Sequence, residues 1–350
     1  MPTAPVDQHG SVLYYEDSGV PGTSTDYVTL VLVHGTCFHS EQHNLRLVLL
    51  NLRGYPGSTP YSEEELKCFE GSAEEAESAV RARGLEVAAF LRWFIEAEKI
   101  PEFQDTSGSD SGVGGLSLLS WSGGNCQTLS MFANADTLPE DTRNVLNGYL
   151  RSFIISQPHC GRNTGPPGMG TAFFNPSLSP EEQALRFALA VSSYYPPFTL
   201  PDKIDGDTAT YAPRVPLQDP KYVPTTVKLT EAELRGLVYP AIFQRVQPAM
   251  WSPALPLVYQ SNASRALCDC RLLDGGSGPK KVWPGVKVHL VWCDMTGGDA
   301  AWAASVFNCK YKEADPAARR PMEVHKVEGA NHFIHWEEPQ RFIELLAKLV

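Results

Sequence analysis

Residues 116–130, LSLLSWSGGNCQTLS, decide how the rest of the chain is read. An apolar run (Leu116, Leu118, Leu119) stops at Ser120-Trp121-Ser122-Gly123-Gly124, and a helix-compatible stretch from Cys126 to Ala133 follows. Strand, sharp turn and helix together form the setting in which a serine hydroxyl is presented at the tip of a buried strand. Such a turn holds its central serine in a strained backbone conformation, so its neighbours must be small. Gly124 fits the second glycine of G-x-S-x-G, and Ser120 stands at the first, where serine is the next smallest choice. A serine in an ordinary glycine-rich turn is the competing reading of these five residues, and the flanking chain decides between them.

Working outward, Val28–Val33 (VTLVLV), Leu47–Leu52 (LVLLNL) and Leu150–Ile155 (LRSFII) are continuous apolar runs. Runs of this kind belong to strands buried on both faces, hence to a parallel sheet covered by helices. Ser11–Glu16 reads as a first strand, and Val286–Trp292 and Met322–Val327 as late ones. Gly84–Ala97 carries apolar residues at helical spacing, and Pro339–Leu349 is a closing amphipathic helix. Strands and helices in alternation predict a doubly wound α/β domain. From His159 to Gly285 proline becomes abundant and strand runs disappear. Two helix starts stand out there: Ser179 before Pro180, Glu181 and Glu182, and Thr230 with Glu233 three residues on. The predicted organisation is therefore a core over 1–158, a mainly helical cap over 159–285, and the rest of the core over 286–350.

Composition narrows the function classes. The 350 residues, 43% of them hydrophobic, suffice for a full core, and no apolar run approaches the ~20 residues of a membrane helix. A net charge of −11 disfavours nucleic acid and anionic membranes as partners. The first residues lack the pattern of a secretory signal, and the eight cysteines lack the spacing of a disulfide framework, so a cytoplasmic protein with reduced thiols is expected. No two Cys/His pairs stand at zinc-ligand spacing, and Gly275-Gly276-Ser277-Gly278 lacks the pattern of a phosphate loop. Neither a metal nor a cofactor is predicted.

An open α/β sheet places its reactive groups beyond the carboxyl ends of its strands. Four turns qualify: His34-Gly35-Thr36, the turn at Ser122, Cys293-Asp294, and Gly329-Ala330-Asn331-His332. With Asn51-Leu52-Arg53-Gly54-Tyr55-Pro56-Gly57-Ser58, similar to D-x-R-G-x-G-x-S, and Glu338-Pro339 behind His332, these motifs make the chain resemble the α/β-hydrolase superfamily. The branch is the one with a large cap between the sixth and seventh core strands. The resemblance spans residues 12–350 and implies the α/β-hydrolase fold with an order of serine, acid, histidine.

A serine hydroxyl is a poor nucleophile until an imidazole takes its proton, which assigns Ser122 as nucleophile and His332 as general base. Among the nine histidines, His34 sits where the family's histidine is structural, His289 and His325 fall inside strands as core or surface residues, and His335 lies one turn past the family position. The oxyanion hole is expected from the backbone N–H groups of Gly123 and of Thr36 (or Cys37). The acid departs from the family pattern. After the seventh strand G-x-x-D aligns with Cys293 at the glycine and Thr296 at the acid, and the turn after the sixth strand, Ile155–Pro158, is not acidic. Asp294 is the nearest carboxylate and is taken as the orienting acid, with Asp299 next and a triad lacking a carboxylate also open. Tyr55, Trp121 and His39 are expected to bind substrate. Cap aromatics (Tyr194, Tyr195, Phe198, Tyr239, Phe243, Trp251 and the Phe173-Phe174 pair) suggest a medium-sized apolar ester, lactone or thioester. A non-hydrolytic lyase or acyltransferase of secondary metabolism, or a catalytically silent ligand-binding member, is the alternative. A small-molecule substrate is the one partner implied, and the oligomeric state is left open.

Overall fold

Apolar runs that have no polar face become the central strands of one sheet, since either face left to water would cost burial energy. A computed structural model describes residues 2–22, 26–34, 45–105, 112–159, 175, 177–204, 214–271 and 280–350. The strands are β1 (Thr3–Pro5), β2 (Val12–Asp17), β3 (Val28–Val33), β4 (Leu45–Leu50), β5 (Leu116–Trp121), β6 (Leu150–Ser156), β7 (Lys287–Cys293) and β8 (Met322–Val327). They lie in the order β1-β2-β4-β3-β5-β6-β7-β8. β1–β2 and β2–β4 are antiparallel and the remaining pairs are parallel. Every residue of β5 and β6 is buried. β1 has no counterpart in the sequence reading, and β4 starts two residues ahead of the predicted Leu47. The fold class is the predicted one, a mostly parallel doubly wound α/β sheet with an inserted helical segment between β6 and β7.

The helices are α1 (Glu63–Glu70), α2 (Ala73–Glu98), α3 (Asn125–Ala133), α4 (Glu140–Tyr149), α5 (Pro180–Ser192), α6 (Thr225–Lys228), α7 (Glu231–Leu237), α8 (Val246–Met250), α9 (Leu255–Cys268), α10 (Gly298–Glu313), α11 (Ile334–Glu337) and α12 (Pro339–Leu349). Alternate residues of β3 divide the core. Val31 and Val33 face the layer of α2, α3, α9 and α10, while Leu30 and Leu32 face Phe342, Ile343 and Leu346 of α12. α2 starts well before the predicted Gly84, at a capping box in which Ser72 and Glu75 satisfy each other's backbone N–H. Gly84 has a packing reason inside this helix: a Cβ there would come within 2.5 Å of the Met131 backbone nitrogen on α3. The seat of α3, and with it the elbow, depends on that close approach. Among the described residues no helix is long and apolar enough to cross a membrane.

The inserted segment divides in two. α5 and α7 begin with the capping boxes read from sequence, Ser179 with Glu182 and Thr230 with Glu233. α5 packs on α6 and on the turn Pro240–Phe243, and α8 packs on α1. α9 behaves differently, because it lies against α3, α2 and α10 and puts Ala263, Ala266 and Leu267 into the core. Trp283 joins the same cluster. A cap drawn to residue 285 therefore encloses a core helix: proline content marks where strands stop but not what a helix packs against. Gly35, Thr36, Cys37, His39, His43, Phe173, Phe174 and the glycine-rich stretches at 165–168 and 275–278 lie outside the described residues.

Candidate active site

Ser122 closes β5 with a backbone φ of +52°, the left-handed region that a residue with a Cβ enters only under constraint. Trp121 before it is extended, and Ser122–Gly124 make a single 3-10 turn into α3. Holding a non-glycine residue there costs on the order of 1–3 kcal/mol, which the surroundings must supply. Asn125 is the clamp. Its Nδ2 donates to the Ser122 carbonyl at 2.7 Å and lies 3.2 and 3.3 Å from the carbonyls of Ser156 and Gln157 at the end of β6. The Ser120 hydroxyl donates to Asn125 Oδ1 at 2.5 Å, and both side chains are fully buried. Serine at the first glycine position thus has a task, since its hydroxyl orients the amide that holds the strained turn. Gly124 has a steric one: a Cβ there would lie 3.0 Å from the carbonyl oxygens of His34 and Val33 at the end of β3.

His332 comes from the turn after β8. Trp121 Nε1 donates to the His332 carbonyl at 3.2 Å, and the two rings are 5.0 Å apart. Asn331 Nδ2 donates to the Ser192 carbonyl and to Thr225 Oγ1, tying this turn to α5 and α6. Ser122 and His332 line one recess of about 80 Å³ together with Gly123, His159 and Asp299. Among the described residues no hydrogen bond links the serine hydroxyl to the imidazole. Burial pushes His332 down to about 3, with His335 and His159 adding to the effect, so the ring is neutral at pH 7.

The contact at Nδ1 of His332 is made by a hydroxyl and not by the expected Asp294. His332 Nδ1 lies 3.1 Å from Oγ1 of Thr296, which is fully buried. Asp294 turns elsewhere: its Oδ1 accepts from the Gly329 N–H at 2.8 Å, bracing the β8 turn where Gly329 has φ +72°. Two residues apart in a tight turn, Asp294 and Thr296 point in different directions. In the alignment with G-x-x-D, Thr296 stands at the position of the acid, and its hydroxyl is what meets the imidazole. Asp299, in the first turn of α10, lines the recess.

The recess opens into a chamber of about 580 Å³ between the core loops and the inserted helices. Tyr55 and Trp121 line it, as do Tyr239, Phe243 and Trp251, whereas Tyr195 is buried in packing and Phe198 lies against the main core. Ala184, Phe187, Ala188 and Val191 of α5 also face it. Their spacing of three and four residues is a stripe along one face of the helix. His159 was missed for want of any motif around it. His34 is structural, as the resemblance implied: its Nε2 accepts from the Leu52 N–H at 3.1 Å, and burial lowers it to about 4. Among the described residues no atom lies within 4 Å of a Cβ placed on Gly123, and the expected second donor Thr36 and the pocket candidate His39 fall outside the described residues.

No protein-family model matches the chain, and no curated protein matches it by sequence. Solved structures do resemble its backbone. Est816, described as an N-acyl homoserine lactone degrading enzyme, aligns over 100% of both chains with 13% identity and a TM-score of 0.46. The meta-cleavage product hydrolase CumD from Pseudomonas fluorescens IP01 covers 100% of this chain and 97% of its own, with 9% identity and a TM-score of 0.48. Carboxylesterase CesB from Bacillus subtilis covers 99% of this chain and 90% of its own, with 12% identity and a TM-score of 0.44. Likenesses this distant concern the course of the backbone and carry no chemistry.

Proposed function

We propose that this protein is a serine hydrolase that cleaves an ester, lactone or thioester bond through an acyl-enzyme on Ser122. One observation carries the reading: a serine held at φ +52° at the carboxyl end of a buried central strand, sharing a recess with a buried neutral imidazole. A strained turn is costly to keep, and its use is to aim the hydroxyl out of the sheet. The Ser122 hydroxyl attacks the carbonyl carbon while His332 removes its proton. The proton then passes to the leaving group, and water repeats the sequence to release the acyl group. The Gly123 N–H receives the developing oxyanion. The chamber falls in the volume range of drug-sized organic ligands, and its Tyr55, Phe187, Tyr239 and Trp251 walls favour an apolar acyl or alkyl portion.

Thr296 sets the rate. A hydroxyl can accept the Nδ1–H bond that selects the working tautomer, but it carries no charge to stabilise the imidazolium formed in the transition state. The same contact favours a second reading, in which His332 stays neutral and polarises a carbonyl as a hydrogen-bond donor in lyase or acyl-transfer chemistry. Fluorophosphonate labelling and aryl-ester turnover, each compared with Ser122→Ala, test the proposal. Labelling and turnover that vanish in the variant support it. A wild type that takes no label, or turnover that survives Ser122→Ala, overturns it.

A further inference from the structure

On the face of the sheet that packs against α12, a second cluster has no part in the chemistry above. β7 and β8 pair in parallel with His289 opposite Glu323 and Val291 opposite His325. Glu323 and His325 are two residues apart on one strand and share a face, so the register sets three metal-ligating side chains side by side. His289 Nδ1 lies 3.1 Å from His325 Nε2. The same Glu323 Oε2 lies 3.7 Å from the first nitrogen and 3.6 Å from the second. These atoms thus form a near-equilateral triangle, and its two longer sides exceed hydrogen-bond distance. The point equidistant from all three lies about 2.0 Å from each, the bond length of zinc to imidazole nitrogen and carboxylate oxygen.

We propose that His289, Glu323 and His325 form a binding site for one zinc-class divalent cation. Two imidazoles and one carboxylate suit zinc, cobalt or nickel rather than magnesium or calcium, which take oxygen ligands. His289 is buried and His325 half-buried, while the Glu323 side chain is 66% exposed, so an ion enters from solvent past the carboxylate and keeps water in its fourth position. When the ion binds, the single N–H shared between the two rings gives way to two lone pairs on the metal, the proton moving to the far nitrogen of its own ring. The cluster lies toward the amino ends of β7 and β8, while Ser122 and His332 stand beyond the carboxyl ends of their strands. Its effect is therefore structural: the ion joins β8, the edge strand, to β7, and β8 leads directly into the turn that carries His332. The linear sequence hides the site because one ligand comes from β7 and the other two from β8, on the far side of a crossover connection.

The test is zinc titration of the chelator-stripped full-length protein by calorimetry, with thermal melting in parallel. Glu323→Gln and His325→Ala are the variants, both at positions with solvent access, so neither is expected to unfold the chain. One ion per chain, a melting point raised by about 3–5 °C at a hundredfold excess over Kd, and affinity lowered at least tenfold in both variants support the site. Cobalt substitution should add visible d–d bands of a four-coordinate nitrogen and oxygen site, lost in His325→Ala. Absence of zinc binding overturns the proposal. So does binding of unchanged affinity in both variants, which would place the ion on the free cysteines or other histidines.

Discussion

Replacing Thr296 by aspartate tests the proposed chemistry most directly. In the wild type the Nδ1 partner is an uncharged hydroxyl at 3.1 Å, and burial holds His332 near 3. A carboxylate about 3 Å from the ring, at an effective dielectric of about 20, favours the imidazolium by about 5 kcal/mol, which carries the imidazole from about 3 up to about 7. That is the range in which a general base both holds the right protonation state and accepts a proton readily at neutral pH. Loss of the orienting carboxylate in a related triad costs about 10⁴ in turnover, so its introduction is expected to raise kcat for an aryl ester by about 10²–10⁴. The pH–rate profile should acquire an ascending limb near pH 7. Thr296→Asn, of the same size and without the charge, should give neither change. Circular dichroism and thermal melting establish that each variant is folded. A folded Thr296→Asp protein whose rate and pH profile match those of the wild type would show that His332 is not the base.

Three further outcomes follow from the same structure. Asn125→Ala removes the donor that the Ser122 carbonyl relies on and orphans the Ser120 hydroxyl, so urea denaturation should show about 2–3 kcal/mol less stability, with slower fluorophosphonate labelling. A stable variant that labels at the wild-type rate would remove Asn125 from the account of the elbow. Gly124→Ala places a methyl 3.0 Å from two carbonyl oxygens at the end of β3 and should cost about 1–3 kcal/mol, measured as a shift in the denaturation midpoint, with activity falling further as that strand end moves. Acid stability reports the buried histidines: His332 and His335 are both lowered to about 3, so between there and about 6.5 the unfolded chain binds more protons than the folded one. Their contribution is complete above about pH 6.5 and declines as the pH falls, reaching about 2 kcal/mol lost per histidine, or about 4 for the pair, at pH 5. Urea midpoints at pH 7 and pH 5 that coincide, or a His335→Phe variant with an undiminished pH dependence, would refute this.

Legibility in the sequence followed the range of the forces involved. Capping boxes at Ser179 and Thr230 were readable because both partners lie within four residues. β3, β5 and β6 are readable because burial on two faces leaves runs dominated by apolar residues. α2 was read too short, since its first turns are solvent-facing and show little apolar pattern. The membership of α9 in the core was hidden, because a helix does not advertise which neighbour covers it. The site behaved likewise: Ser122 and His332 sit in local motifs, whereas His159 and the α5 stripe have none and were visible only as part of a wall.

The order of the motifs along 350 residues determined the fold class, the elbow serine and the candidate base, because each rests on local backbone demands that few residue types satisfy. Tertiary structure alone decided which side chain meets Nδ1 of that base, why serine serves at position 120, and that two histidines and a glutamate from separate strands converge at one point. Those outcomes depend on strand register and on the direction taken by successive residues in a tight turn. Both are settled by packing across the sheet rather than by any neighbour in the chain.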